Sequence, residues 1–256
     1  MTQSALATEP RISVLRDVLG VYDERFLDLA PDDRRRLVRG TGQVLGDDGL
    51  PPDVRAVLPA AFRLRAFCIQ HELYDELERL IRDEQAGEVV GAVVVGGRVY
   101  AMYPFLRGLP RHDADITDEV VAVHRLDGLS FAGDKIRVRG WAAISQVQAR
   151  EFTVDLMLRQ GHAERLVKGT ADRDSFEVLI TPADLPPGIW DVCLQVSTLG
   201  VTREAAFGTE RHTALRTDPR ERDGVRAFFA EPDGTLAIEI PGEIRRAGRL
   251  RRLFRS

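Results

Sequence analysis

The sequence is short of most patterns that announce a dedicated chemistry. It has two cysteines in 256 residues, Cys68 and Cys193. They are too few and too far apart for a disulfide framework or a zinc-ligand spacing. Both lie in apolar stretches and read as buried, reduced thiols. No window approaches about 18 uncharged apolar residues, so no membrane-spanning helix is predicted. The longest apolar run, Val89–Val95, is strand-sized. Met1–Pro10 lacks a basic stretch followed by an apolar one, which argues against a signal peptide. An excess of one charge is also missing. The 36 basic and 40 acidic side chains leave a formal net charge of −4, which gives no bulk attraction to nucleic acid. At 44% hydrophobic and 30% charged, the chain is too apolar for disorder and long enough for one large domain or two modest ones.

The catalytic and ligand motifs that begin in this sequence do not complete. Gly91–Gly97 superficially resembles a phosphate loop. It lacks the following Lys-Ser/Thr, and strand residues come after it where a helix N-terminus is needed. His71-Glu72 opens like a zincin signature, but the residue one helical turn on is Asp75 and no second histidine is near. Asp113, Asp115 and Asp118 alternate with other residues. An EF-hand spacing would need a glycine at the sixth position and a glutamate at the twelfth, where this sequence has Asp118 and His124. Asp47-Asp48 lies between helical stretches and reads as a turn. Ser130 and Ser145 have no nucleophile-elbow setting. These failures predict no metal and no cofactor. A site of dispersed carboxylates has no fixed spacing, so spacing does not address it.

What is present is a change of hydrophobic period. Residues 11–87 read as helical. Ile12, Leu15, Val18 and Leu19 recur at helical spacing, and Phe26, Leu27 and Leu29 follow Asp23. Pro31-Asp32-Asp33 opens a helix carrying Leu37, Val38, Val44 and Leu45 as its apolar stripe. Pro51-Pro52-Asp53 opens another, which Pro59 breaks. Ala60–Gln70 follows, with Phe62, Ala66 and Ile69 on one face and Arg63 and Arg65 off it. Leu73–Glu84 then places Leu73, Leu77, Leu80 and Ile81 inward and ends at Gly87. Short helices with single apolar stripes form a small bundle.

From Glu88 the period becomes two. Val89–Val95, Gly96-Gly97 and Arg98–Tyr103 read as a hairpin, and Leu106–Ala114 as a linker and domain boundary. Beyond Ile116 the apolar sets are Ile136 and Val138; Phe152, Val154, Leu156 and Leu158; Phe176, Val178 and Ile180; Trp190, Val192, Leu194 and Val196; and Leu236, Ile238 and Ile240. Turns are expected at Asp127-Gly128, Gly133-Asp134, Gln160-Gly161, Pro186–Gly188, Leu199-Gly200 and Asp233-Gly234, with one helical turn at Thr181–Asp184. Trp141 and Trp190, both placed in the apolar register, read as core residues and secondarily as sugar-stacking platforms. The fold class is α+β: an N-terminal helical bundle followed by an antiparallel β-sandwich, immunoglobulin-like or jelly-roll-like. The expected partition is 1–10 disordered, 11–87 helical, 88–114 hairpin and linker, 115–242 sandwich and 243–256 basic tail. The tail interleaves Arg245, Arg246, Arg249, Arg251, Arg252 and Arg255 with Ile244, Leu250, Leu253 and Phe254. These arginines are the candidate contacts with an anionic membrane face or another polyanion.

Two stretches carry a family resemblance. Leu58–Phe67, the helix after it and the hairpin ending Tyr103-Pro104-Phe105 resemble the helical linker of bacterial family-2 glycosyltransferases related to wall teichoic acid (poly-ribitol-phosphate) glycosyltransferases. Asp115–Val120, Arg125–Leu129 and Ile136–Ala142 resemble the β-sandwich that follows that linker. The resemblance covers about residues 50–240. In those enzymes a catalytic domain, with the nucleotide-sugar site and an acidic metal motif, precedes this region. This sequence has no counterpart of it, so none of the family's catalytic residues carries over. The resemblance implies a non-catalytic accessory protein of cell-surface glycopolymer synthesis, cytoplasmic and at the inner face of the membrane. Its implied partners are a glycosyltransferase, an anionic glycopolymer or a second copy of the chain. The alternatives are a transferase or hydrolase with a dispersed site, and a self-associating scaffold.

Overall fold

The computed structural model describes residues 3–46, 48–88, 90–172 and 175–242. The chain forms two compact units. The first runs to Val120 and takes back Gln146–Gln148; the second comprises Val121–Ser145 and the chain from Ala149.

In the first unit, α1 spans Gln3–Gly20 and so takes in most of the stretch expected to be disordered. That stretch has no apolar stripe to mark it, but Ala5, Leu6 and Ala7 favour helix intrinsically. The short α2 (Glu24–Asp28) is capped by Asp23, whose carboxylate accepts the Arg25 N–H at 2.9 Å. Pro31 opens α3 (Pro31–Leu45), with Asp32 and Asp33 in its first turn. The inward stripe of α3 is Val38, Thr41 and Leu45, and Val44 is exposed. Thr41 is tolerated inside because its hydroxyl accepts the buried Tyr22 O–H at 2.7 Å. The first unit continues with α4 (Pro52–Val57), α5 (Ala60–Gln70) and α6 (Tyr74–Gln85).

Gly87, at φ +65°, ends α6 in a Schellman arrangement. The Glu88 N–H bonds to Asp83 O, and the Gly87 N–H to Glu84 O. Leu19, Tyr22, Val54, Leu64, Leu77 and Leu80 centre the helical core. The hairpin follows as β1 (Ala92–Val95) and β2 (Arg98–Ala101). Gly96 and Gly97 both have positive φ, as its tight two-residue turn requires. The expected linker contains the helical turn α7 (Arg111–Ala114) and belongs with the helices, so the units divide at Val120.

The second unit is one ten-stranded antiparallel sheet folded into two layers. Its strands are β3 (Ala122–Ala132), β4 (Lys135–Ile144), β5 (Thr153–Gln160), β6 (Ala163–Asp172), β7 (Ser175–Ile180), β8 (Gly188–Thr198), β9 (Val201–Ala206), β10 (Arg220–Arg222), β11 (Val225–Phe229) and β12 (Leu236–Ile240). The order is β10-β11-β12-β8-β5-β6-β7-β4-β3, with β9 paired to the later half of β8.

The fold line is β6. Ala163–Lys168 pairs with β5, and Gly169–Asp172 pairs with β7. At the switch the Gly169 N–H is accepted by the buried Asp155 at 3.1 Å, and Lys168 Nζ reaches the other carboxylate oxygen at 2.7 Å. A side chain on Gly169 would collide with the Val154 carbonyl oxygen, so this corner requires glycine. Between the layers lie Leu126, Val138, Leu156, Val178, Trp190 and Leu194, all buried. The apolar sets expected on β5, β7, β8 and β12 are the inward sets, except that Phe152 precedes β5 and is half-buried.

Asp127-Gly128 is a bulge inside β3, not a turn: the register with β4 shifts between Leu126 and Gly128. Glycine within a strand marks such a shift as readily as it marks a turn. Thr181–Asp184 does carry its single helical turn, at Pro182–Asp184.

Candidate functional site

Arg63 of α5 is 6% exposed, although helical spacing places it off the apolar face. Its guanidinium donates to Leu58 O at 2.6 Å, Asp113 O at 3.3 Å, Asp115 O and Glu119 Oε1 at 3.2 Å. Beside it, Arg55 Nε donates to Asp113 Oδ1 at 3.0 Å, and Glu119 accepts the Ala60 N–H at 2.8 Å. The planar fork of arginine suits several separated acceptors at once. Here it ties the 113–119 segment to the helices.

Of the acids that invited a metal reading, Asp113 and Asp115 accept from arginines. The side chain of Asp115 takes the Thr117 N–H and hydroxyl and Arg98 Nε, the last at 2.7 Å. Burial alone would raise the pKa of Asp115. The Thr117 and Arg98 bonds outweigh it and hold the carboxyl below its ordinary range. Asp118 is exposed. Among the described residues no group of three or more His, Cys, Asp or Glu converges as a metal set would.

The cysteines are not activated. Burial, then Glu76, pushes the Cys68 thiol up to about 12. Burial also raises Cys193, despite Arg159 Nη1 at 3.6 Å. His71 is exposed at the C-cap of α5, its ring 4.5 Å from that of Phe67.

In the second unit the two tryptophans part company. Trp190 is 0% exposed, and its indole N–H reaches Pro186 O at 2.9 Å. Trp141 is 37% exposed. It shares parity with Arg137 and Arg139, so it faces outward, against the core placement expected from sequence. Arg125 lies opposite it on β3.

A depression of about 510 Å³ is lined by Asp127, Arg139, Gly140, Thr170, Asp172 and Glu177. Arg139 lies over Gly128, where a Cβ would come within 3.3 Å of Nε. Asp127 is held by Arg125 at 2.6 Å, and Glu177 by Arg137 at 3.5 Å. A larger cleft, about 1330 Å³, opens where β4 runs past its last β7 partner at Gly140. Thr153, Ser175, Ser197 and Thr198 are among its lining residues; the Thr198 hydroxyl donates to Glu151 O at 2.7 Å. The depression and the cleft share Ala171, Asp172, Ser175 and Phe176. The arginines of the tail, Arg245 to Arg255, lie outside the described residues.

Residues 11–81 match the family model of the glycosyl transferase TarS linker domain. The match begins well before residue 50, where the resemblance read from sequence starts, and it takes in α2 and α3.

A crystal structure of the 217–571 segment of S. aureus TarS aligns with 84% of this chain and 63% of its own length, at 15% identity and a TM-score of 0.50. A crystal structure of S. aureus TarS aligns over 84% of this chain and 40% of its own, at 16% identity and a TM-score of 0.42. The chain thus spans less than two thirds of the solved chains it matches, and the likeness to the 217–571 segment is one of fold. Among curated proteins no sequence matches.

The TarS-linker match covers α5 with Arg63 but stops before Asp113, Asp115 and Glu119. The guanidinium therefore joins the matched segment to the part of the unit beyond it.

Proposed function

We propose that this chain is a non-catalytic accessory protein that works with a glycosyltransferase of teichoic-acid-type glycopolymer synthesis. The observation that carries the reading is the TarS-linker match over residues 11–81. The helices that follow this pattern are joined in sequence to a β unit whose outer face displays an aromatic ring among charged groups. The accessory unit acts at the cytoplasmic face of the membrane, where the arginines of 243–256 supply attraction to anionic lipid or polymer. Its partners are the transferase and its glycopolymer. The non-catalytic part is tested by incubating the purified chain with nucleotide sugars and poly(ribitol phosphate). The expected result is no nucleotide release above the buffer rate. Release that scales with protein concentration overturns it.

A further inference from the structure

We propose that the cleft of about 1330 Å³ in the β unit takes up an extended, uncharged peptide segment of a partner protein as an added strand. Two strands each lose a neighbour at this place. β4 is paired with β3 as far as Ile144, but with β7 only as far as Gly140. β5 is paired with β8 from Thr153, but with β6 only from Asp155. Ala142 of β4 and Thr153 and Val154 of β5 all line the cleft. Its walls therefore include the one-sided ends of two strands.

The ladder decides which way Ala142 turns its peptide groups. In an antiparallel pair, successive residues present N–H and C=O to opposite sides. The Ser145 N–H donates to Val121 O, toward β3, so Ala143 and Trp141 face β3 and Ala142 faces away. β3 gives the same answer. Leu126 donates to Glu210 O and accepts from the His212 N–H, away from β4, which leaves Arg125 to face its partner Trp141. Gly140 faces the same side as Ala142 and is matched there by Phe176 of β7. Among the described residues no strand partner matches Ala142 on that side. An open N–H and C=O on a strand is a template for another strand. A segment laid along this side would continue the line of β7 and bond Ala142 through both groups, which is recognition by strand addition.

The lining selects the occupant. The volume exceeds the roughly 300–1,000 Å³ usual for small ligands and suits a stretch of chain. Apolar Phe152, Val154 and Phe176 stand with Thr153 and Ser175, and the charges are of both signs, Arg150 against Glu151 and Asp172. Charge thus favours neither an acidic nor a basic segment. A strand that alternates apolar and hydroxyl side chains matches this mixture.

The test is an array of terminally blocked hexapeptides that alternate valine or leucine with threonine or serine, probed with the full chain. Each retained peptide is then titrated by fluorescence anisotropy. Retention is expected, with affinity about tenfold weaker for Ala142→Pro, which removes the open donor. That N–H serves no bond to β3, so the strand tolerates proline there, and circular dichroism checks the fold. If Ala142→Pro does not fold, N-methylation of the peptide's amides one at a time carries the test, and methylation of the amide that meets Ala142 should cost a similar factor. Retention of no hexapeptide overturns the proposal, as does affinity unchanged by the folded variant or by methylation at every position. A chain that is dimeric by light scattering and becomes monomeric as Ala142→Pro gives the cleft to a second copy and also overturns it. The proposal goes beyond the accessory reading, and its failure leaves association with a transferase standing.

Discussion

Replacing Arg63 should unfold the helical unit far more readily than any exposed arginine would. The residue is 6% exposed and donates to four backbone carbonyls, Arg55, Leu58, Asp113 and Asp115, and to the Glu119 carboxylate. Arg63→Met keeps much of the aliphatic volume and removes every donor. The four carbonyls and Glu119 then lose a charged partner inside the unit. Breaking a buried, hydrogen-bonded ionic set of this kind costs about 3–5 kcal/mol. Orphaning single buried acceptors costs about 1–3 kcal/mol each, but carbonyls with a second partner and the part-exposed Glu119 lie at the low end. The sum is therefore placed at about 4 kcal/mol.

Arg63→Lys retains the charge, but one ammonium cannot span five separated acceptors, and about half of that loss is expected. The assay is urea unfolding followed by far-UV circular dichroism at 222 nm, which reports chiefly on the helices, with fluorescence of Trp141 and Trp190, both in the β unit, tracking that unit separately. A loss below about 1 kcal/mol for Arg63→Met would refute the reasoning, because it would mean the carbonyls find water without penalty.

Other outcomes follow from the same geometry. Gly169→Ala puts a methyl against the Val154 carbonyl at the fold line of the sheet and should cost at least about 2 kcal/mol in tryptophan-monitored unfolding. Asp155→Ala orphans the Gly169 N–H and should cost about 1–3 kcal/mol in the same assay. Burial lowers the pKa of His124, against a backbone bond to Ala206 and the charge of Glu210. The unfolded chain then takes the proton more readily, so stability should be full above the ordinary histidine pKa of about 6.5 and fall as pH drops below it. His124→Phe should flatten the unfolding midpoint between pH 7 and 5. Deleting residues 243–256 should weaken binding to phosphatidylglycerol vesicles by at least about tenfold at low salt, since each arginine near an anionic surface is worth about 1 kcal/mol; unchanged co-sedimentation refutes that contact.

The fold was legible wherever one face of an element carries the burial. The run Trp190, Val192, Leu194 and Val196 alternates without interruption and lies wholly inside. β6 escaped because it is exposed along most of its length: it sits at the fold line and turns few side chains into the core. β9 escaped because Thr202, Arg203 and Glu204 break its alternation. Arg63 could not be read as buried, since periodicity counts charge as solvent-facing. Only a tertiary cage of carbonyls reverses that. Trp141 was legible and misassigned: its parity with Arg137 and Arg139 already put it on the outer face. The depression lined by Asp127, Thr170 and Glu177 was not legible, because these residues come from three strands whose register depends on a bulge and a switch of pairing partner.

The account stands or falls on association with a transferase. The full chain, tagged and expressed at native level in the organism that encodes it, should be captured under mild conditions and its partners quantified by mass spectrometry. The account predicts a teichoic-acid-type glycosyltransferase at near-stoichiometric yield. Capture that contains no glycosyltransferase above the untagged control would contradict it.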